Sequence, residues 1–598
     1  MRAVLFLLVA AMGFAQSTTS TLDPINLIAP AVSADGRIVV FGAATSPDGT
    51  PRKSTDLYLF DRELHDLNLN GVTGISWAAG FVGYTAQPAG PDGVEEVHLF
   101  DIARASDRTL VSGKFTCAQI LCVDCRRSCL GPVHVAPDAG KVLYSAAENQ
   151  PFRIMNADGS GSERLPVYSG ALAPSPQRVI SRDGQLVFSS SAPAGPTFAA
   201  AATDIHVIHL DGTGLRQVTH FRGASYYATN VTSSADGSLI AFESNYQEPE
   251  PRIGNQIWVV RSDGAGMRRI STGSEPATNP SLSADGSVVV FVQGGQIKRA
   301  NTSGDAAILT LTRLSASWPR DPVVSDDGSQ VAFTLGPAIG APAAVYRIPT
   351  DAVTEMRDFT RIYAPRFVNP KGVVGVAAGG PPSPGSLISV YGVNLGFEEL
   401  VQASGFPLPE SLNGVSLSVN GRNIPLIAAT PWQINAQLPQ STGVGAAEFR
   451  VGSLVPVTTE IKPSAPALLS FPWATGKIGY GQAAAFHAGT GVLADANNPA
   501  AVGETIELYG MGLGLTDPAV VAGLPSPSLP PARAQQPPLV RIGGIEAKVV
   551  FAGLTPGLAG VYQVNVVVPT GLEARFHTVE WFALDGSMPS YGGAIAVK

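Results

Sequence analysis

Charged side chains, cysteines and long hydrophobic runs are all scarce in this 598-residue sequence. Only 14% of the residues are Asp, Glu, Lys or Arg, the formal net charge is −8, and Lys and Arg form no run. A nucleic-acid partner is therefore not expected, because binding a polyanion needs a basic patch. No apolar stretch reaches the roughly 20 residues that a membrane-spanning helix needs. We expect no transmembrane segment in the mature chain.

The N terminus has the pattern of a secretory signal peptide. Arg2 precedes an apolar run from Val4 to Ala11, and the small residues Gly13 and Ala15 suit signal-peptidase cleavage after Ala15. A membrane anchor is the alternative, but the apolar run is too short to span a bilayer. Residues 1–15 are therefore predicted to be a signal peptide, and the protein is predicted to be periplasmic, on the cell surface or extracellular.

Only four cysteines occur, and they lie close together in a C-x4-C-x2-C-x3-C pattern: Cys117, Cys122, Cys125 and Cys129. In an exported protein such a cluster favours disulfides, and a bound metal is the alternative. Four cysteines allow three pairings, and the sequence does not choose between them.

Helical periodicity is also lacking, whereas glycine (65 residues) and proline (48 residues) are abundant. This composition predicts short strands joined by turns. A repeat supports it: a Ser-x-Asp-Gly turn precedes an apolar strand that ends in Phe, as in Ser33–Phe41, Ser234–Phe242, Ser283–Phe291 and Ser325–Phe333. Two looser copies run from Ala136 to Tyr144 and from Ser181 to Phe188, and a degenerate copy without Asp-Gly lies near Trp77 to Tyr84.

The Asp-Gly pairs are interpreted as structural turn residues. Asp accepts backbone N–H groups in a tight turn and Gly supplies a positive φ. This role is predicted for Asp35, Gly36, Asp183, Gly184, Asp236, Gly237, Asp285, Gly286, Asp327 and Gly328. The strands that follow are apolar on both faces, as expected for sheets packed between two other sheets.

Each copy is followed by a second strand, such as Asp56–Phe60 or Gln256–Val260, which makes seven strand pairs. The fold class predicted is all-β: a seven-bladed β-propeller over residues 22–352, with six or eight blades as alternatives. The segment from Ser234 to Ser271, with its Gln256-Ile-Trp-Val-Val260 strand and Asp263-Gly264 turn, resembles the WD40-like repeat of TolB-type proteins, and the resemblance covers roughly residues 25 to 350. The resemblance implies a propeller. It transfers neither TolB's partners nor its six blades, and TolB's extra N-terminal domain has no counterpart here.

The C-terminal half contains a second repeat. Gly385–Gly396 matches Gly503–Gly514, and Gln433–Pro439 matches Gln563–Pro569. This pattern resembles immunoglobulin-like IPT/TIG modules and, more closely, an uncharacterised C-terminal domain of exported bacterial proteins. We expect residues 353–384 to form a linker with a leading strand. Two Ig-like β-sandwich modules are then expected at 385–470 and 471–598.

No motif for catalysis, a cofactor or a metal stands out. A G-x-S-x-G nucleophile elbow is missing, and Gly510-Met-Gly512-Leu-Gly514 has the wrong spacing for a nucleotide-binding loop. His206 and His209 occupy opposite faces of one strand, and His98 and His134 are isolated. Glu243, Glu248 and Glu250 follow a predicted strand, where a solvated loop is the ordinary interpretation and a rim of the propeller face is the alternative.

The function predicted from these observations is that of an exported, non-catalytic binding or scaffold protein. Its propeller face would bind a protein or polysaccharide partner, and the Ig-like modules would act as spacer or docking units. One alternative is a propeller enzyme, a lactonase or a glycan-active hydrolase or lyase, with its site in the central channel. Another is a structural protein of the cell envelope.

Overall fold

The computed structural model describes residues 27–598, except residues 79, 88–93, 114–132, 146–150, 169–176, 191–202, 222–225, 247–253, 305–306, 338–342, 377–378, 472–480 and 583–589. Two compact units are present, Pro24–Pro365 and Arg366–Lys598. The described ranges contain strands and two short 3-10 helices, Met356–Asp358 and Gln440–Thr442, and no α-helix. No helix among them is long and apolar enough to cross a membrane.

The described part of the first unit contains seven antiparallel sheets, here called sheets 1 to 7, and one short parallel strand pair. Sheet 1 contains β1 (Ile28–Val32), β2 (Val39–Thr45), β3 (Pro51–Phe60) and β4 (Leu64–Asn70). Sheet 2 contains β5 (Val72–Ala78), β6 (Phe81–Ala86), β7 (Glu95–Asp101) and β8 (Ser106–Gly113). Sheet 3 contains β9 (Val133–Val135), β10 (Lys141–Ser145), β11 (Pro151–Asn156) and β12 (Glu163–Tyr168). Sheet 4 contains β13 (Gln185–Ser190), β14 (Asp204–His209) and β15 (Arg216–Gln217).

Sheets 5 to 7 complete this unit. Sheet 5 contains β16 (Ala228–Ser233), β17 (Leu239–Ser244), β18 (Gln256–Arg261) and β19 (Arg268–Arg269). Sheet 6 contains β20 (Ala277–Leu282), β21 (Val288–Gln293), β22 (Gln296–Asn301) and β23 (Leu309–Thr310). Sheet 7 contains β25 (Trp318–Val324), β26 (Gln330–Gly336), β27 (Ala344–Pro349) and β29 (Thr360–Tyr363), while β24 (Thr312–Arg313) and β28 (Thr354–Glu355) form a parallel pair.

One register recurs in all seven sheets. An aromatic residue of β2, β6, β10, β13, β17, β21 or β26 lies opposite a residue of the strand that follows it, which gives the pairs Phe41–Tyr58, Tyr84–His98, Tyr144–Arg153, Phe188–His206, Phe242–Trp258, Phe291–Lys298 and Phe333–Tyr346. All seven aromatic residues are buried. Stacking of such sheets around a common axis buries both faces of the second strand. The unit is a β-propeller, and the degenerate copy at Trp77–Tyr84 takes its place as β5 and β6.

Among the described residues, sheets 7 and 1 close the ring without exchanging a strand. The Tyr363 hydroxyl donates to the Thr45 carbonyl at 2.6 Å, and the Tyr363 ring lies 5.2 Å from the Phe41 ring. Arg347 donates to the Gly36 carbonyl at 2.6 Å. The unit therefore runs beyond the expected limit of residue 352, because β29 is the outermost strand of sheet 7 and contributes Tyr363 to the closure.

The second unit begins with two antiparallel sheets around one core. One sheet has the order β30 (Phe367–Gly375), β31 (Leu387–Val393), β37 (Gln433–Gln437), β36 (Leu426–Ala429) and β32 (Val401–Gln402). The other contains β33 (Ser411–Leu412), β34 (Val415–Val419), β35 (Arg422–Asn423), β38 (Gly445–Val451) and β39 (Val457–Ile461). Because β30 pairs with β31, this module starts near residue 367 and not at 385.

The remaining strands form one continuous, curved sheet around a second core, which includes the fully buried Trp581. They are β40 (Ala467–Leu468), β41 (Ser470–Phe471), β42 (Gln482–Ala483), β43 (Ala485–His487), β44 (Thr505–Met511), β45 (Thr516–Asp517), β46 (Arg533–Ala534), β47 (Leu539–Ile542), β48 (Ile545–Leu554), β49 (Tyr562–Val567), β50 (Phe576–Phe582) and β51 (Ser590–Ala596).

These two modules contact each other within the second unit. Gly523 N–H donates to the Gln437 side chain at 2.7 Å, and Gly512 N–H donates to the Ser386 hydroxyl at 3.0 Å. Leu387, Met511, Leu558 and Val561 share a buried apolar cluster across the boundary. Buried hydrogen bonds and an apolar cluster together fix the relative positions of two modules.

Candidate functional site

A cavity of about 560 Å³ occupies the centre of the propeller. Every sheet contributes to it from its innermost segment, through Val32, Trp77, Val135, Val179, Ala235, Leu282 and Val324. In sheet 4 this segment lies just before β13, where Val187 N–H donates to the Val179 carbonyl. The cavity lies at the end of the innermost strands that carries the Ser-x-Asp-Gly turns.

Backbone hydrogen bonds link five of the sheets, from sheet 4 through sheet 7 to sheet 1, at this end of the channel. The residue between Ser and Asp in one turn bonds to its equivalent in the next: Arg182 N–H donates to Ala235, Ala235 to Ala284 and Ala284 to Asp326, at 2.7–2.9 Å. Asp327 N–H then donates to the Ala34 carbonyl at 3.1 Å. The residue between Ser and Asp is mostly alanine. Because this side chain is small, the backbones of neighbouring turns approach closely and the channel mouth stays open. Arg182 and Asp326 are the charged exceptions.

Arg178 and Asp326 form an ion pair across the cavity, from sheet 4 to sheet 7. The Arg178 side chain is 20% exposed and that of Asp326 is 40% exposed. Burial, followed by the charge of Arg182, lowers the pKa of Arg178 to about 10. One guanidinium nitrogen of Arg178, Nη1, is buried without a hydrogen-bond partner. Arg178, a residue of the cavity wall, therefore has a buried N–H group without a partner.

Two further polar groups in the cavity wall lack a partner. His134 on β9 is 3% exposed, and its Nε2 has no hydrogen bond. Burial lowers the pKa of His134 to about 4, so the imidazole is neutral at pH 7. Gln177 is 8% exposed; its amide N–H donates to the Pro322 carbonyl at 3.3 Å, but its Oε1 is unpartnered. Buried polar atoms are normally hydrogen-bonded, so unpaired ones in residues that line a cavity call for an explanation such as a ligand or water site.

The predicted turn aspartates are occupied by local hydrogen bonds. Asp35, which lines the cavity, accepts from the Ser33 hydroxyl at 2.7 Å and from Arg37 N–H at 3.1 Å. These bonds lower its pKa. The Ser hydroxyl makes the same bond to Asp183, Asp236, Asp285 and Asp327, and the following Gly36, Gly184, Gly237, Gly286 and Gly328 have φ between 69° and 80°. The candidate cysteines Cys117, Cys122, Cys125 and Cys129 lie outside the described residues.

Glu243 belongs to β17, contrary to both interpretations that the sequence suggested for it. The side chain is buried and accepts hydrogen bonds from the Asn230 and Asn255 amides, at 2.8 and 2.5 Å. It also accepts from Asn279 N–H of sheet 6 at 3.1 Å. Glu243 therefore joins sheets 5 and 6, and no solvated loop contains it. Glu248 and Glu250 lie outside the described residues.

His98 is not isolated, because two carboxylates bracket its ring. Nδ1 lies 2.8 Å from Asp107 and Nε2 lies 3.1 Å from Glu96, and the ring stacks on Tyr84 at 4.6 Å. Burial disfavours the charged imidazole, but the two carboxylates outweigh burial and raise the pKa of His98. His206, in contrast, is buried against Phe188, and burial lowers its pKa. Within the described ranges, no three His, Cys, Asp or Glu residues are arranged to hold a metal.

The His98 cluster predicts a pH dependence of stability. A raised pKa in the folded state means that His98 stabilises the fold below its ordinary pKa, and this contribution is lost as pH rises through the raised value. The stability difference between wild type and His98→Gln should therefore shrink from pH 5 to pH 9 in calorimetric melts. His65→Gln is the control, because that histidine is exposed beside Asp61. A constant difference between wild type and His98→Gln would contradict the assignment.

The fold places the chain among β-propeller proteins. A TolB from Acinetobacter baumannii is 14% identical over 46% of this chain and 64% of its own, less than two thirds of its length, with a TM-score of 0.31. The propeller domain of the Trilobed protease from Pyrococcus furiosus is 14% identical over 54% and 94% of the two chains, with a TM-score of 0.37. A Mycobacterium tuberculosis puromycin-hydrolyzing peptidase is 15% identical over 63% and 60%, with a TM-score of 0.40.

No protein-family model matches the sequence, and no curated protein matches it. Likeness at such low identity and scores transfers no activity or partner to this chain.

Proposed function

We propose that the chain is an exported binding protein whose ligand enters the propeller channel at the Ser-x-Asp-Gly end. One observation carries the proposal: Arg178, Gln177 and His134, each with a buried polar atom that lacks a hydrogen-bond partner, line a single cavity to which all seven sheets contribute. The cavity volume of about 560 Å³ lies within the range of roughly 300–1,000 Å³ typical of ligand pockets.

The acids of the cavity favour binding over catalysis. Asp35 is hydrogen-bonded within its own turn, and Asp326 is paired with Arg178. A general acid or base must be free to exchange a proton with the substrate, and each of these carboxylates is already engaged. The aspartates of the other Asp-Gly pairs are proposed to be structural turn residues as well, and not catalytic groups.

The rest of the architecture is proposed in the same terms. Each of the seven sheets is one blade, so the propeller is seven-bladed, and the two modules of the second unit are Ig-like. The hydrogen bonds of Gly523 and Gly512 across the module boundary support a rigid docking unit over a flexible spacer. The segment 1–15 directs export, and an N-terminal residue Gln16 in the mature protein, measured by mass spectrometry, would test this.

Blocking the channel mouth tests the binding proposal. Ala34 is exposed at the mouth and lines the cavity, so Ala34→Trp should place an indole over the opening. Ligands selected on the wild type from a displayed peptide library and a glycan array should lose at least about tenfold in affinity for this variant. Ala265→Trp is the matched control, because Ala265 is also exposed and follows an outer Asp-Gly turn.

Equal binding to wild type and Ala34→Trp would refute the channel as the ligand site. Turnover of a chromogenic ester, lactone or glycoside by the wild type, lost in Asp326→Asn, would replace the binding proposal with the propeller-enzyme alternative.

A further inference from the structure

The charges around the cavity leave one cation without a counterion. Arg178 and Arg182 both line the cavity, and Asp326 pairs with Arg178. The other acid, Asp35, faces Arg37 at 3.5 Å outside the cavity lining. The described lining therefore holds two arginines and two acids, so its formal charges cancel, but Arg182 has no ion pair among the described residues and Arg178 has an N–H without a partner. A low-dielectric site of this kind favours one carboxylate group, since charge-assisted hydrogen bonds there are strong.

Gln177, the neighbour of Arg178 in the chain, requires a hydrogen-bond donor from the ligand, whereas Arg178 requires an acceptor. Its amide nitrogen is engaged with the Pro322 carbonyl, so the amide orientation is fixed and the unpartnered Oε1 needs a donor from the ligand. The ligand should therefore carry a carboxylate and an N–H close together. A peptide C terminus has this arrangement, because the terminal carboxylate and the last amide N–H flank a single Cα.

Apolar groups line the remaining wall. Trp77, Val179 and Leu282 face the cavity, and His134 is neutral there. These groups suit the side chain of a terminal residue better than the hydroxyl-covered surface of a sugar.

We propose that the ligand of the channel is the free C terminus of a peptide or protein, with its carboxylate on Arg178 and its last N–H on Gln177 Oε1. This proposal rests on the proposed function and specifies the chemistry of the same site. Arg182 adds attraction at the mouth.

Fluorescein-labelled pentaglycine peptides that end in each standard amino acid, made as free acids and as C-terminal amides, test this with the full-length protein. Fluorescence polarisation should give free acids at least about tenfold tighter binding than the matching amides. Arg178→Met should remove that preference. Gln177→Glu, almost isosteric, should weaken the free acids specifically because a second negative charge faces the carboxylate. Arg313→Met is the control, since Arg313 is exposed and paired with Glu355 away from the cavity.

Thermal melts of each variant separate loss of binding from loss of the fold. If Arg178→Met does not fold, the affinities of Gln177→Glu decide the test. Equal affinity for acids and amides, or an unchanged affinity in Gln177→Glu, would overturn the proposal. Binding of oligogalacturonate in preference to every peptide would overturn it too, in favour of an acidic polysaccharide. After any of these results, the channel remains the proposed binding site if ligands still lose affinity for Ala34→Trp. If they do not, both the channel site and the C-terminal ligand are refuted.

Discussion

Replacing Gly512 by alanine is expected to abolish folding of the second module in the Arg366–Lys598 unit. Gly512 has φ +85°, and a Cβ there would lie 1.8 Å from the Ala465 carbonyl oxygen. The opposing chain is fixed at this point, because Ala465 N–H donates to the Gly512 carbonyl at 2.7 Å. Backbone overlap added to a left-handed conformation should cost about 4 kcal/mol or more.

Scanning calorimetry and limited proteolysis of the full-length variant would measure this loss. Gly503→Ala is the matched control: Gly503 has φ +84°, but a Cβ there has no heavy atom within 4 Å. It should cost only about 1 kcal/mol, the backbone strain alone. If both variants melt alike, the close approach of the Ala465 carbonyl is not what requires glycine.

Glu243→Leu should destabilise the propeller by about 3 kcal/mol, because each buried donor without an acceptor costs about 1–3 kcal/mol and half-buried donors cost less. The substitution leaves the Asn230 and Asn255 amides and Asn279 N–H without their acceptor. Leucine itself is compatible with the position, since sheet 6 has buried Val292 at the equivalent place after its Phe291.

The effect of Glu243→Leu is measurable as a lower melting temperature of the propeller. Hydrogen exchange should also be faster in β16, β17 and β20, the strands that the carboxylate joins. Glu243→Gln keeps one acceptor oxygen and should lose about half as much stability. Unchanged exchange in β20 would show that Glu243 does not hold sheets 5 and 6 together.

The sequence predicts those features of the fold that depend on neighbours in the chain. The Asp236-Gly237 pair specifies its own turn, because Asp236 accepts from Ser238 N–H and Gly237 has φ +71°. The sequence likewise predicts that the three glycines from Gly510 to Gly514 lie at a strand end. The structure shows why glycine is needed there, because the backbone of residues 463–467 lies against all three.

The features that the sequence leaves open depend on partners far along the chain. Arg178 meets Asp326 across the channel, and Glu243 meets Asn279 of the next sheet. No periodicity relates such positions, so neither contact has a signal in the sequence. Gln177 and His134 also lie in the least regular copies of the repeat. The one signal for the site is that Arg182 and Asp326 replace the usual alanine between Ser and Asp.

The closure of the ring has a consequence for how such a protein can change over generations. Tyr363 and Arg347 close the ring through side-chain bonds to sheet 1. Among the described residues of the propeller, the seven sheets exchange no strand, and the one ladder outside them is the two-residue parallel pair of β24 and β28. Unequal crossing-over that duplicates or deletes one repeat would therefore add or remove a whole sheet and leave the others intact. Recombination can therefore change the number of repeats. In a ring closed by an exchanged strand, the first such event would instead disrupt the closure.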